Sequence, residues 1–189
     1  FGVEFGMQPH LGPAFEEYTA IHPFDLVIGS NHLVRGMDPY YPEAFEGYTE
    51  DSTYRRYFEE LLTEVTNCSS FDVMGHLDYI VRYGPNQNRY YSYEKYQDVI
   101  DEILRTVIAK GKGIECNTSG LRNLGVPHPM PQILTRYREM GGEILTIGSD
   151  AHVPEHLGFG FDRIGEILKA CGFRYYTTFA ERKPEFHKL

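Results

Sequence analysis

Residues 143–152 read EILTIGSDAH: a short apolar run that breaks at a glycine and a serine, then delivers an aspartate and a histidine. A short apolar run bounded by small turn residues suits a strand buried on both faces. The pattern recurs at FGVEF (1–5), FDLVIGS (24–30), FDVMG (71–75), GIECN (113–117) and FRYYTTF (173–179). Between these runs, apolar residues return at helical spacing. Tyr54, Tyr57, Phe58, Leu61, Leu62 and Val65 mark one helix; Tyr93, Tyr96, Ile100, Ile103, Leu104, Val107 and Ile108 mark another. The second is expected to start at a Ser92 N-cap and to stop at Gly111. Shorter helices are expected over 130–140, ended by Gly141-Gly142, and over 161–171, ended by Gly172. Strand alternating with helix predicts a single α/β domain over 1–189, with parallel strands joined by right-handed crossovers.

The 189 residues suffice for one domain with a substantial core. No apolar run approaches the ~18 residues that cross a bilayer, so no membrane association is expected. Cys68, Cys116 and Cys171 are odd in number and far apart, which suits reduced thiols in a cytoplasmic protein better than a disulfide framework. Net charge is -9, from 27 acidic and 18 basic side chains. That balance argues against a nucleic-acid partner, which requires a basic face. It leaves room for a small anionic substrate, because a few arginines and bound cations reverse the sign locally.

The chemistry-bearing residues stand at the C-terminal ends of the expected strands. Glu4 lies in GVEFG, His32 follows FDLVIGSN, and His76 follows FDVMG with Asp78 two residues on. Glu115 and Asn117 lie in GIECNTSG; Asp150 and His152 follow EILTIGS. In a parallel sheet these ends share one rim, where active sites are built. Imidazole and carboxylate together suit Zn²⁺, Mn²⁺ or Fe²⁺, and a carboxylate such as Glu4 can bridge two ions. Two loops rich in Gly, Pro and Tyr, 33–49 and 83–91, directly follow histidine-bearing strand ends. They are either surface connections or covers for the site.

GVEFG, GSNH, FDVMGHLDYIVRY, IECNTSGLR and TIGSDAH, in this order, resemble the successive motifs of the polymerase-and-histidinol-phosphatase (PHP) family. GHLDYIVRY, NTSGLR and GSDAH point within it to the histidinol-phosphatase branch, and the likeness extends to the tail GFRYYTTFAERKP. The resemblance implies a distorted (β/α)7 barrel, here lacking its first strands, with two or three divalent ions at the C-terminal rim. It implies that Glu4 bridges two ions, that His32 and His76 bind one of them, and that Asp150 and His152 bind the others. The family's HxH pair has no counterpart, since His10 and His22 lie after the glutamate motif.

For phosphate the resemblance points to Arg82 and Arg122, with Asn117 beside them; guanidinium groups bind phosphate through paired, charge-assisted donors. Without it, each arginine reads as a rim salt bridge. Arg35 stays open. Asp78 either orients His76 or donates a proton to the leaving group. Glu115 either touches ligand or holds its neighbours by hydrogen bonds. His10, His22, His128, His156 and His187 are expected to face solvent.

The implied reaction is hydrolysis of L-histidinol phosphate to L-histidinol and phosphate. Its rivals are a phosphoesterase for another monoester, an amidohydrolase, and a non-catalytic remnant. An unpaired edge on the strand at 1–5 would invite pairing with another chain, so a homo-oligomer is also in view.

Overall fold

The computed structural model describes residues Phe1–Leu189. β1 (Gly2–Gly6), β2 (Leu26–Ser30), β3 (Val73–Met74), β4 (Gly113–Asn117) and β5 (Leu145–Gly148) form one sheet in the order β1-β2-β3-β4-β5. Each neighbouring pair is parallel, as the alternating sequence predicts. The strands are short and apolar because they are covered: β4 is buried along its whole length, and Val27, Met74, Ile114 and Leu145 have no exposed surface. No helix is long and apolar enough to cross a membrane.

The connections are α1 (Gly12–Ile21), α2 (Glu50–Asn67), α3 (Gln97–Ala109), the single turn α4 (Gly120–Asn123) and α5 (Pro131–Glu139); α6 (Phe161–Ala170) follows β5. Helix α2 begins where the Thr49 hydroxyl accepts the Ser52 amide at 3.1 Å. It buries Tyr54, Tyr57, Phe58, Leu61 and Val65, the stripe set by their spacing. Truncating Phe58 or Leu61 to alanine would cost roughly 2–5 kcal/mol, the usual penalty for an emptied core site.

The glycine stops act as expected. Gly111, Gly141 and Gly172 all adopt positive φ after α3, α5 and α6. In each case the next amide reaches back to a carbonyl five residues earlier: Lys112 to Val107, Gly142 to Tyr137 and Phe173 to Leu168. This closure satisfies the last helical carbonyls and turns the chain towards the next strand. Ser92, in contrast, does not cap α3. A separate 3₁₀ turn occupies Tyr93–Lys95, the Ser92 side chain makes no capping bond, and α3 starts only after Tyr96.

Two elements differ from expectation. Helix α1 carries no clear stripe, burying only Gly12, and so left little periodic signal. The tail is not a further buried strand of the parallel sheet. β6 (Tyr175–Ala180) and β7 (Lys183–Lys188) form a largely exposed antiparallel hairpin. Its two-residue turn, Glu181-Arg182, has positive φ at both positions, the conformation that matches strand twist. Only Thr177 of β6 is buried, its hydroxyl accepting the Leu145 amide at 3.2 Å. At the hairpin turn, Arg182 donates to the buried Asp72 carboxylate at 2.9 Å and to the Ser70 carbonyl at 2.8 Å. Asp72 also accepts the Val27 amide. The hairpin is thereby pinned at the N-terminal ends of β2 and β3, opposite the rim that carries the histidines.

Candidate metal centre

Strand register builds the site. His32, His76 and Asp150 each stand two residues beyond the last residue of β2, β3 and β5, while Glu4 projects from within β1. Glu4 Oε1 lies 3.0 Å from His76 Nε2 and 3.3 Å from His32 Nε2, and the two ring nitrogens are 3.2 Å apart. The three donor atoms thus form a nearly equilateral triangle. Tetrahedral ligands at ~2.0–2.1 Å from an ion lie about 3.3 Å from one another, so this triangle has the edge length of one face of such a site. The donor set, two imidazoles and a carboxylate, is also that of a divalent transition metal. The residues fit the metal the motifs imply.

Electrostatics agrees with the geometry. Burial works to raise the Glu4 carboxyl, but hydrogen bonds from His32 and His76 outweigh it and hold the group well below the carboxylate range. Glu4 is therefore an anion ready to ligate. Burial lowers His76, and the bond to Glu4 with the charges of Glu115, Glu4 and Asp150 more than reverses this. The other ring nitrogen of His76, Nδ1, is buried without a protein partner.

Asp150 and His152 line the same cleft, of about 310 Å³, with Asp38, Tyr79, Arg82 and Tyr83. Asp150 holds a left-handed backbone, φ 49°, a conformation rare for a residue with a side chain. Its carboxylate lies 3.7 Å from Arg82 Nη2 and 3.5 Å from His152 Nδ1. Arg82 also donates from Nη2 to the Ser119 hydroxyl, while its Nε is buried and unpartnered.

The other residues singled out by sequence stand apart from the cleft. Arg122 donates to the Ser149 carbonyl at 3.3 Å and lies over the Phe159 ring, bracing the loop that carries Asp150. Asn117 is buried, donating to Glu115 and accepting the Ser119 amide. Asp78 turns inward: one oxygen lies 2.6 Å from His128 Nδ1 and the other accepts the Met130 amide at 2.9 Å. His128, expected at the surface, is fully buried because this pairing draws it under the rim. Asp78 thus orients the loop of Met130 rather than His76, and it stands outside the residues that line the cleft.

Glu115 takes the hydrogen-bonding role, accepting the His76 amide at 3.1 Å and the Asn117 side chain at 3.0 Å; burial raises its pKa. Arg35 fixes a loop instead of binding in the cleft. With Gly36 it forms a two-residue turn at positive φ, its side chain donates to Thr53 and Ala44, and it stacks on Tyr48 at 3.6 Å. The loops at 33–49 and 83–91 do reach the site, through Asp38 and Tyr83.

Comparison with known proteins identifies relatives of the chain. The family model for the PHP domain matches residues 1–119. A probable histidinol-phosphatase of Clostridium acetobutylicum is 31% identical over 173 residues, which cover 92% of this chain and 68% of the relative. The histidinol-phosphatase of Lactococcus lactis subsp. lactis is 26% identical over 190 residues, covering 99% of this chain and 70% of that protein. The crystal structure of the Lactococcus lactis histidinol phosphate phosphatase, complexed with zinc, L-histidinol and phosphate, superposes with a TM-score of 0.86 over 97% of this chain and 70% of its own. With its strand-end motifs, parallel sheet and histidine–carboxylate cluster, the chain belongs to the PHP domain family.

Proposed function

We propose that this chain hydrolyses L-histidinol phosphate to L-histidinol and phosphate, the phosphatase step of histidine biosynthesis. The observation that carries the reading is the Glu4–His32–His76 triangle facing Arg82 across one cleft. Support comes from the Lactococcus lactis structure, which holds zinc, L-histidinol and phosphate on the same fold.

Glu4, His32 and His76 would hold one divalent ion, and Asp150 with His152 would extend the donor set to a second or third; zinc, manganese and iron all suit these atoms. Such ions supply Lewis acidity at phosphorus and bring the pKa of bound water to about 7. The chain's own groups do the remaining work. Arg82 offers its free guanidinium protons to the phosphoryl oxygens, where charge develops. Tyr79 and Tyr83, joined through their hydroxyls at 3.0 Å, wall the cleft. Glu115 and Asn117 hold the loops carrying His76 and Ser119, and Arg122 acts on phosphate through the Asp150 loop. The five sequential parallel strands are read as an arc of a distorted (β/α)7 barrel, whose C-terminal rim is this site. The three cysteines are unpaired and buried, which suits a reducing cytoplasm.

Phosphate release from L-histidinol phosphate should be metal-dependent, abolished by chelation, and faster than release from simple aryl or sugar monoesters. Equal rates on all monoesters would overturn the substrate, and undiminished turnover after chelation would overturn the metal reading.

A further inference from the structure

A larger cavity than the metal cleft lies at the opposite end of the sheet. It measures about 580 Å³, against about 310 Å³ for the cleft, and Arg138, Glu143, Phe173, Arg174, Tyr175 and Phe186 line it. Its place follows from the topology. Glu143 stands two residues before β5, and Phe173, Arg174 and Tyr175 lead from the end of α6 into β6. The metal ligands stand at the C-terminal strand ends, so a cavity at the start of β5 belongs to the other face.

The walls are fixed by the fold. The closures after α5 and α6 hold Gly142 and Phe173, and the buried Phe173 ring stacks on Tyr137 at 6.4 Å. In the hairpin, Thr177 pairs directly with Phe186, and Tyr175 stands two residues before Thr177. Direct partners in an antiparallel ladder share a face, as do residues two apart on one strand. Thr177 points at the sheet, where it accepts the Leu145 amide, so Tyr175 and Phe186 point inward as well. Both rings nevertheless stay about half exposed, at 50% and 49%. They border a space that no side chain fills.

The charged lining is cationic, although the chain carries a net -9. Arg138 lies 3.5 Å from Glu143 and donates to the Gly142 carbonyl at 3.4 Å. Arg174 uses only its backbone carbonyl, which accepts the Leu189 amide at 3.1 Å; its guanidinium pairs with no acid. Two guanidinium groups against one carboxylate leave room for one further negative charge. Guanidinium forks match the two oxygens of a carboxylate, and flat rings pack on aromatic side chains. The volume falls within the range of about 300–1,000 Å³ typical of small-molecule sites.

We propose that this cavity is a second ligand site, separate from the metal cleft, for a small aromatic carboxylate. Arg174, with Arg138, takes the carboxylate, while Tyr175 and Phe186 flank the ring. The site stands independently of the phosphatase reading, because no residue of the cleft takes part in it.

The chain contains no tryptophan, so indole emission excited beyond the tyrosine band reports an indole ligand alone. Indole-3-acetate titrated with the metal-loaded protein should bind saturably. Arg174→Gln should weaken it by ~5- to 20-fold, the loss of one charge-assisted pair partly screened by solvent. Tyr175→Ala and Phe186→Ala should each weaken it by a few-fold, and Arg82→Ala should leave it unchanged. Binding that falls in Arg82→Ala but survives Arg174→Gln would put the anion in the metal cleft and overturn the proposal. Tryptamine, the same ring on a cationic tail, must bind more weakly; equal binding would overturn the charge assignment. Tighter binding of benzylphosphonate, a dianion, would overturn the choice of a carboxylate. Absence of saturable binding up to the millimolar range would overturn the site itself.

Discussion

Arg82 and Arg122 look equivalent in the sequence, each ending a motif near the rim, yet their surroundings predict unequal roles. Arg82 lines the cleft, and it is the one Lys or Arg side chain that does. One of its nitrogens is committed to Ser119, Asp150 lies beyond direct hydrogen-bond range at 3.7 Å, and Nε has no protein partner. Donors thus remain for a phosphoryl group. Removing them in Arg82→Ala should cost ~1.5–3 kcal/mol of charge-assisted bonding, or about 10- to 150-fold in kcat/KM. Metal content should stay at the wild-type level, because no atom of the Glu4–His32–His76 triangle depends on this side chain.

Arg122 contributes a single bond to the Ser149 carbonyl, one residue before Asp150. Its loss in Arg122→Ala should cost roughly 0.5–1.5 kcal/mol, or about 2- to 10-fold, and should act by loosening Asp150. Steady-state kinetics on L-histidinol phosphate, beside metal analysis of each variant, would separate the two mechanisms. The reasoning fails if Arg82→Ala keeps wild-type kcat/KM, or if Arg122→Ala falls as far with its metals intact.

Two further outcomes concern stability. Glu64 is buried on α2 with one oxygen unpartnered, and burial, aided by the charge of Glu60, raises its pKa from 4.5 to about 8. The folded state therefore holds a proton the unfolded chain releases, and stability from this group is lost as pH rises from 4.5 through 8. Glu64→Gln should match the wild type near pH 5 and exceed it by about 1–3 kcal/mol near pH 9 in urea melts; an equal gain at both pH values would contradict the assignment. His128→Ala strands the buried Asp78 carboxylate and should cost ~3–5 kcal/mol, lowering Tm by roughly 6–20 °C. An unshifted melting curve would mean the pair is not structural.

The rim was legible because parallel strands impose it. Glu4, His32, His76, Asp150 and His152 are spread from position 4 to position 152, and a repeated strand-then-polar pattern suffices to align them. The glycine stops were legible for a local reason, the positive φ at each helix end. What escaped was set by partners distant in sequence. Asp78 sits two residues past a candidate ligand, yet its orientation is decided by His128, 50 residues later. Asp38 lies in a loop without periodicity, where only three-dimensional convergence reveals its place. The terminal hairpin turns at Glu181-Arg182, a pair with none of the glycine or asparagine that marks such turns, and its anchor is Asp72, 110 residues upstream.

The net charge of -9 fits an enzyme for anions once charge is counted where the substrate would sit. Three carboxylates line the cleft, Glu4, Asp38 and Asp150, against the single guanidinium of Arg82; with neutral histidines the local sum is -3 + 1 = -2. A phosphate monoester dianion entering that field meets like charge. Each unit pair at ~5 Å costs about 3 kcal/mol at an effective dielectric of 20, more than one arginine offsets. Two divalent cations at the histidine–carboxylate end would turn the sum to -2 + 4 = +2. On this count divalent metals would serve to bind phosphate as well as to activate the water that attacks it. Titration of inorganic phosphate should give measurable heat with the metal-loaded protein and none after chelation. Phosphate bound with the same affinity by the chelated protein would refute this charge count, and would require a basic group in the cleft beyond Arg82.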